Sequence, residues 1–153
     1  MIDVGGQRTE RKKWIGHFEN VDAILYICSL SEFDQKCYED EITNRMKESL
    51  ELFASYINSK YFEGSLIYLV LNKQDIFVDK INRGVNLKDT FEDYNGSPKD
   101  TEAAKNFIEG MYRDQDQFDR LRGVLYLNAL DKDCLKEKLD EIVQDIINAE
   151  IEI

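Results

Sequence analysis

Three short apolar runs, each closed by polar residues, constrain this chain most. Ala23-Ile24-Leu25-Tyr26-Ile27-Cys28, Ser65-Leu66-Ile67-Tyr68-Leu69-Val70-Leu71 and Val124-Leu125-Tyr126-Leu127 are continuous rather than alternating in polarity. That pattern predicts strands covered on both faces. Between the first two runs, Tyr38, Ile42, Met46, Leu50, Phe53 and Ile57 recur at steps of three or four, which predicts an amphipathic helix near 38–58, with Asp34 as a candidate cap. Strand, helix, strand in that order predicts a parallel sheet, because parallel neighbours need a crossover. A second helix is expected near 101–112, starting at about Asp100 and carrying Ala103, Ala104, Phe107, Ile108 and Met111. A third is expected near 133–149, carrying Leu135, Leu139, Ile142 and Ile146, with Asp131 or Asp133 as its N-cap. Residues 82–100, with Gly84, Asn95-Gly96 and the only proline, Pro98, read as a loop-rich insert. The expected fold class is α/β, a three-layer parallel sheet with flanking helices and strands near 23–30, 65–72 and 124–130.

The polar closures carry the chemistry. In parallel α/β sheets, ligands gather at the carboxyl ends of the strands, so Asp3 to Gln7, Asn72-Lys73-Gln74-Asp75 and Asn128-Ala129-Leu130-Asp131, read as three strand ends, are all expected on one edge. An Asn-Lys-x-Asp closure suits guanine. Its aspartate can accept from the ring N–H and exocyclic amine, the lysine stem can lie along the ring, and a turn alanine can offer a backbone N–H to the ring carbonyl. The chain's opening, Asp3-Val4-Gly5-Gly6-Gln7, adds a carboxylate suited to Mg²⁺, glycine backbone that can approach a phosphate, and a glutamine able to orient water. It runs straight into Arg8-Thr9-Glu10-Arg11-Lys12-Lys13-Trp14, and the segment Gln7 to Phe18 reads as a basic face beside aromatic residues. Trp14 beside Lys12 and Lys13 favours a partner surface over a merely solvated helix face.

Composition excludes several classes. A length of 153 residues with 42% hydrophobic and 33% charged content suits one soluble domain. A net charge of −11 argues against nucleic acid as a partner, because phosphate-backbone binders cluster positive charge. Cys28, Cys37 and Cys134 are widely spaced, form no CxxC pair, and read as buried fillers in a reducing compartment. His17, the sole histidine, reads as a surface or packing residue. No apolar run is long enough to cross a bilayer, and no signal peptide or myristoylation signal is legible.

The segment Asp3 to Trp14 resembles switch II of the α subunit of heterotrimeric G proteins. The likeness continues through Tyr38-Glu39-Asp40-Glu41, Asn44-Arg45-Met46, Leu71 to Asp75 and Phe91-Glu92-Asp93-Tyr94. The resemblance implies a partial P-loop NTPase (Ras-like) domain, residues 1–153 being its C-terminal part without the first strands and the helical domain. It implies GTP/GDP and Mg²⁺ as cofactors, with Asp3 reaching Mg²⁺ through water and Gly6 giving its N–H to the γ-phosphate. Gln7 would place the attacking water, Asn72, Lys73 and Asp75 would read guanine, and Ala129 would touch the base. Arg8, Arg11, Lys13 and Trp14 would dock the βγ dimer. Receptor and effector proteins are the further implied partners, at the cytoplasmic face of the plasma membrane.

The departures set further expectations. No Gly-x₄-Gly-Lys-Ser/Thr occurs in these residues, nor does switch I, so the 153-residue chain alone is expected to lack appreciable GTPase activity and to bind guanine feebly. It would then act through its switch II surface. A partial gene record of an ordinary signalling GTPase is the other reading. The family's base loop usually reads Thr-Cys-Ala-Thr; here Leu127-Asn128-Ala129-Leu130 stands in its place. The tail Asn148 to Ile153 is shorter and more acidic than the usual receptor-contacting end. Without its usual neighbour, the Ala23–Cys28 strand would expose an edge, so self-association or marginal stability is expected.

Overall fold

A computed structural model describes residues 1–17 and 21–151. The three apolar runs form strands β1 (Ala23–Ser29), β2 (Leu66–Asn72) and β3 (Leu121–Tyr126), parallel throughout and ordered β1-β2-β3. The helices are α1 (Arg45–Ile57), α2 (Gln74–Asn82), α3 (Thr101–Arg113) and α4 (Lys132–Ile151). The α/β parallel-sheet expectation therefore holds.

The alternation of β2 shows how the layers are built. Ile67, Leu69 and Leu71 join the main core with Phe53 and Ile57 of α1 and Ala104, Ile108 and Tyr112 of α3. Tyr68, pointing the other way, donates its hydroxyl to Asp145 on α4 at 2.6 Å. Arg122 of β3 meets the same carboxylate through two nitrogens, at 2.9 and 2.7 Å. Helix therefore lies on both faces, which explains why β2 is almost uninterruptedly buried. At the centre, Tyr26, Phe53 and Tyr112 pack edge to face or tilted, with centroids 5.0 to 6.4 Å apart. Both tyrosine hydroxyls find Ser49, so the core buries no orphan polar group there.

Three boundaries differ from expectation. The first helix starts at Arg45, not near residue 38, and Tyr38 and Ile42 are 89% and 79% exposed rather than on the core face. Local side-chain bonds compete with the helix. Asp40 accepts from the backbone N–H groups of Ile42 and Thr43 and from the Thr43 hydroxyl, Glu41 takes a positive φ of 56°, and Lys36 bridges Asn44. Asn44, not Asp34, is the N-cap, accepting from Met46 and Lys47, while Asp34 instead pairs with Lys80 at 2.5 Å. The third strand begins three residues early, at Leu121, and ends at Tyr126. Leu127 still donates to the Leu71 carbonyl at 2.9 Å and so extends the pairing by one bond.

Helix α2 was not anticipated. Phe77 and Ile81, four apart, are its buried face, and Gly84 at φ 95° ends it, donating to Ile81 while Val85 donates to Lys80. Residues 82–100 are loop-rich as expected, yet Leu87, Phe91 and Tyr94 are buried, and Phe91 and Tyr94 pack against Phe107. Asp100 caps α3, and Asp131 rather than Asp133 serves α4, accepting from Cys134 and Leu135. Strand β1 stands at one edge of the sheet among the described residues, with Ile27 63% exposed. Phe18, the tail residues Glu152 and Ile153, and the His17 side chain lie outside the described residues.

Candidate functional site

Two groups of expected site residues emerge, joined by the first turns of α1. The first sits where β2 and β3 end. Asn72 closes β2, Lys73 follows in the left-handed region at φ 57°, and α2 starts at Gln74, so Asp75 lies in a helical first turn. The Asn72 side-chain oxygen accepts from the Lys73 N–H at 2.8 Å and from the Ala129 N–H at 3.1 Å. Gln74 donates to the Leu127 carbonyl at 3.3 Å. These bonds clasp the two loops into one edge, as expected from the polar closures. Lys73, Asp75 and Ala129 are all exposed there. The Ala129 amide, expected to face a base, is here held by Asn72.

The second group is the opening segment; among the described residues it forms no strand, so the expectation that Asp3 to Gln7 closes a strand beside the other two is not met. Asp3, Gly6 and Gln7 are exposed. The arginines of the expected basic face are folded inward, Arg8 bridging Glu48 at 2.5 Å and Asp40 at 2.9 Å and Arg11 meeting Glu48 at 3.2 Å, whereas Lys12 and Lys13 stay exposed, Lys13 pairing locally with Glu10 at 3.0 Å. Arg11 also donates to the Gly6 carbonyl at 3.3 Å. Trp14 is half-buried, donating its indole N–H to the Gly5 carbonyl at 2.6 Å and lying 5.3 Å from the Tyr56 ring.

Glu48 and Asp40, which sequence reasoning did not single out as site residues, are the anchors of this segment. Burial disfavours the charged form of Glu48, but donors from Cys37, Arg8 and Arg11 bring its pKa down to about 2. Asp40 is held well below the usual carboxylate range by the Thr43 hydroxyl, the Ile42 and Thr43 amides and Arg8. Their hydrogen bonds in turn hold Arg8 firmly protonated. Cys37, buried and 3.0 Å from Glu48, is pushed up to about 11 by burial first and the carboxylate second. The only available signal in sequence was that Glu48 follows the cap Asn44 by one helical turn, beneath two arginines 37 and 40 residues away.

A pocket of about 300 Å³ opens at the carboxyl ends of β1 and β2. Ser29 and Asn72 line it from the strand ends, Lys73 from the turn before α2, Arg45, Met46 and Ser49 from α1, and Tyr112 from α3; Asp75 and Ala129 do not. The α1 turn that holds Arg8 and Arg11 thus also walls this pocket. Among the described residues no group of three or more His, Cys, Asp or Glu could hold a metal, and Asp3 is a single exposed carboxylate. These residues do not make a Mg²⁺ site.

A family model described as "G-protein alpha subunit" matches residues 1–147. The chain belongs to the G-protein alpha subunit family. Its relatives include the guanine nucleotide-binding protein alpha-3 subunit of Caenorhabditis elegans, 42% identical over 159 aligned positions that cover 99% of this chain and 43% of that protein. The guanine nucleotide-binding protein subunit alpha of Candida albicans (strain WO-1) is 42% identical across 96% of this chain and 34% of its own length. The G(o) subunit alpha of Geodia cydonium is 45% identical across 75% of this chain and 32% of its own. The chain thus spans less than half the length of these alpha subunits.

Proposed function

We propose that residues 1–153 are the base-reading and switch-bearing C-terminal part of a guanine nucleotide-binding alpha subunit, a GTP-binding and GTP-hydrolysing transducer in receptor signalling. The observation that carries this is the clasp from Asn72 to Ala129, which sets an Asn-Lys-x-Asp turn and an alanine turn side by side in a chain of this family. In this reading the Asp75 carboxylate accepts from the guanine ring N–H and amine. The Lys73 stem covers the ring, and the Ala129 N–H turns from Asn72 to the ring carbonyl. Adenine offers no such paired donor edge and no carbonyl.

Gly6 would meet the γ-phosphate through its N–H, and Gln7 would orient the attacking water. In the family a Mg²⁺ ion supplies charge neutralisation at the phosphates, and Asp3 would approach it through water. One carboxylate alone does not make a metal site. Arg8, Arg11, Lys13 and Trp14 would form the surface for a βγ dimer, with receptor and effector proteins as further partners at the cytoplasmic face of the plasma membrane. Among the described residues no helix is long and apolar enough to cross a membrane.

The absence of Gly-x₄-Gly-Lys-Ser/Thr from these 153 residues supports a narrower reading of the chain taken alone: no appreciable GTPase activity, with a surviving switch II surface. Titration with a fluorescent GTP analogue in Mg²⁺ buffer tests it. Affinity weaker than micromolar is expected, and micromolar or tighter binding would overturn it. For the partner surface, the wild-type chain should capture a βγ dimer and Trp14→Ala should lose most of that capture, whereas equal capture would refute the assignment.

A further inference from the structure

The turn between β3 and α4 is held by a residue to which no role has been given above. Leu127 is pinned on both sides, its N–H on the Leu71 carbonyl at 2.9 Å and its own carbonyl under Gln74 at 3.3 Å. From there the chain must reverse into α4, which starts at Lys132. Asn128 closes the turn twice over: its side-chain oxygen accepts from the Leu130 N–H at 3.1 Å, and its backbone carbonyl accepts from Asp131 at 2.9 Å. An asparagine that bonds its own backbone two residues on imitates a backbone turn and fixes the residue between. That residue is Ala129, exposed at the apex, with its N–H directed at the Asn72 oxygen.

We infer that Asn128 is a positioning residue that sets the direction of the Ala129 amide, and through it the preference for purines bearing a ring carbonyl. The inference rests on the proposed meeting of Ala129 with the base. Without the side-chain acceptor, the Leu130 N–H turns to water, one of the two closures of the turn is lost, and the Ala129 N–H samples a wider cone. The cost falls on any ligand that needs that N–H and on no other. Asn128 is half-buried and its neighbours Ala129 and Leu130 are exposed, so removing its amide should leave the core intact.

The test follows the Ala129 amide by heteronuclear NMR in ¹⁵N-labelled protein titrated with millimolar GDP. The comparison ligand is the 2-aminopurine riboside diphosphate, which keeps the exocyclic amine and lacks both the ring carbonyl and the ring N–H, so its weaker hold on Asp75 is common to wild type and variant. In wild type, GDP should shift the Ala129 resonance. Asn128→Ala should weaken GDP by about three- to tenfold, the size of one net hydrogen bond, and leave the analogue unchanged. Asn128→Asp, which keeps a side-chain oxygen, should recover GDP binding. If Asn128→Ala weakens both ligands equally or neither, or if Asn128→Asp recovers nothing, the positioning role is overturned while the base site stands. If wild type itself gives no response to GDP at Ala129, the base-site reading falls and this inference falls with it.

Discussion

Removing the Glu48 carboxylate should undock the opening segment without unfolding the domain. In Glu48→Ala, among the described residues, Arg11 keeps the Gly6 carbonyl and Arg8 keeps Asp40. Glu48 is 17% exposed, against 34% for Arg8 and 22% for Arg11, so these pairs lie between fully exposed and buried. Exposed pairs contribute about 0–1 kcal/mol, and hydrogen bonds to charged groups contribute about 1.5–3. About 1 kcal/mol for the Arg11 pair alone corresponds to a roughly fivefold fall in the docked-to-undocked ratio, and loss of the Arg8 pair acts in the same direction. Trp14 is the chain's single tryptophan and lies on Tyr56, so its fluorescence reports this segment directly. The expected result is a red-shifted emission with far-UV circular dichroism unchanged, and a weaker response of Trp14 to added salt than in wild type. Glu63→Ala, which removes a 71%-exposed carboxylate 3.5 Å from Arg120, serves as control and should do neither. Wild-type emission and salt response in Glu48→Ala would refute the anchoring role.

Phe53→Ala, at a position 1% exposed between Tyr26 and Tyr112, should cost about 3–5 kcal/mol in urea unfolding, and a loss under about 1 would contradict the central aromatic packing. Acid should release the opening segment, because Glu48 has a folded pKa near 2 against an ordinary 4.5 and Asp40 is lowered in the same direction. Stability from such depressed groups is complete above the ordinary value and is lost as pH falls through the folded one. Trp14 emission should therefore be flat at neutral pH and change only below pH 4.5; a transition centred above about pH 6 would point to a different group. Cys28 is pushed up to about 12 and Cys37 to about 11, burial being the main cause in each, while Cys134 is half-buried near the start of α4. A maleimide at neutral pH should consume one thiol quickly and the other two only on unfolding, so rapid labelling of all three would show the core to be open.

The sheet was legible because its strands are unbroken apolar runs, although only β2 is buried along its length and β1 leaves Ile27 63% exposed; the closures of β2 and β3 fell together as the parallel topology requires, while Asp3 to Gln7 ends no strand among the described residues. What sequence reading missed was local polar chemistry. The apolar spacing of Tyr38 and Ile42 continued the α1 pattern, but Asp40 and Asn44 each offered the backbone a better local acceptor, and the helix began later. Helix α2 was hidden because its first residues also belong to the Asn-Lys-x-Asp closure, leaving only Phe77 and Ile81 to mark a buried face. In the site, residue types suited to guanine were visible, as was the basic character of Arg8 to Trp14. That Arg8 and Arg11 turn inward onto Glu48 depends on a contact across about forty positions, which no local pattern encodes.

The central claim is that the edge formed by Asn72, Lys73, Asp75 and Ala129 reads guanine. Amide shifts of these residues, followed while GDP and ADP are added in turn to wild-type protein and to Asp75→Ala, test it most directly. The account predicts shifts at Lys73, Asp75 and Ala129 with GDP, much smaller ones with ADP, and loss of the difference in Asp75→Ala. Equal responses to the two nucleotides in wild type, or a GDP preference that survives Asp75→Ala, would contradict it.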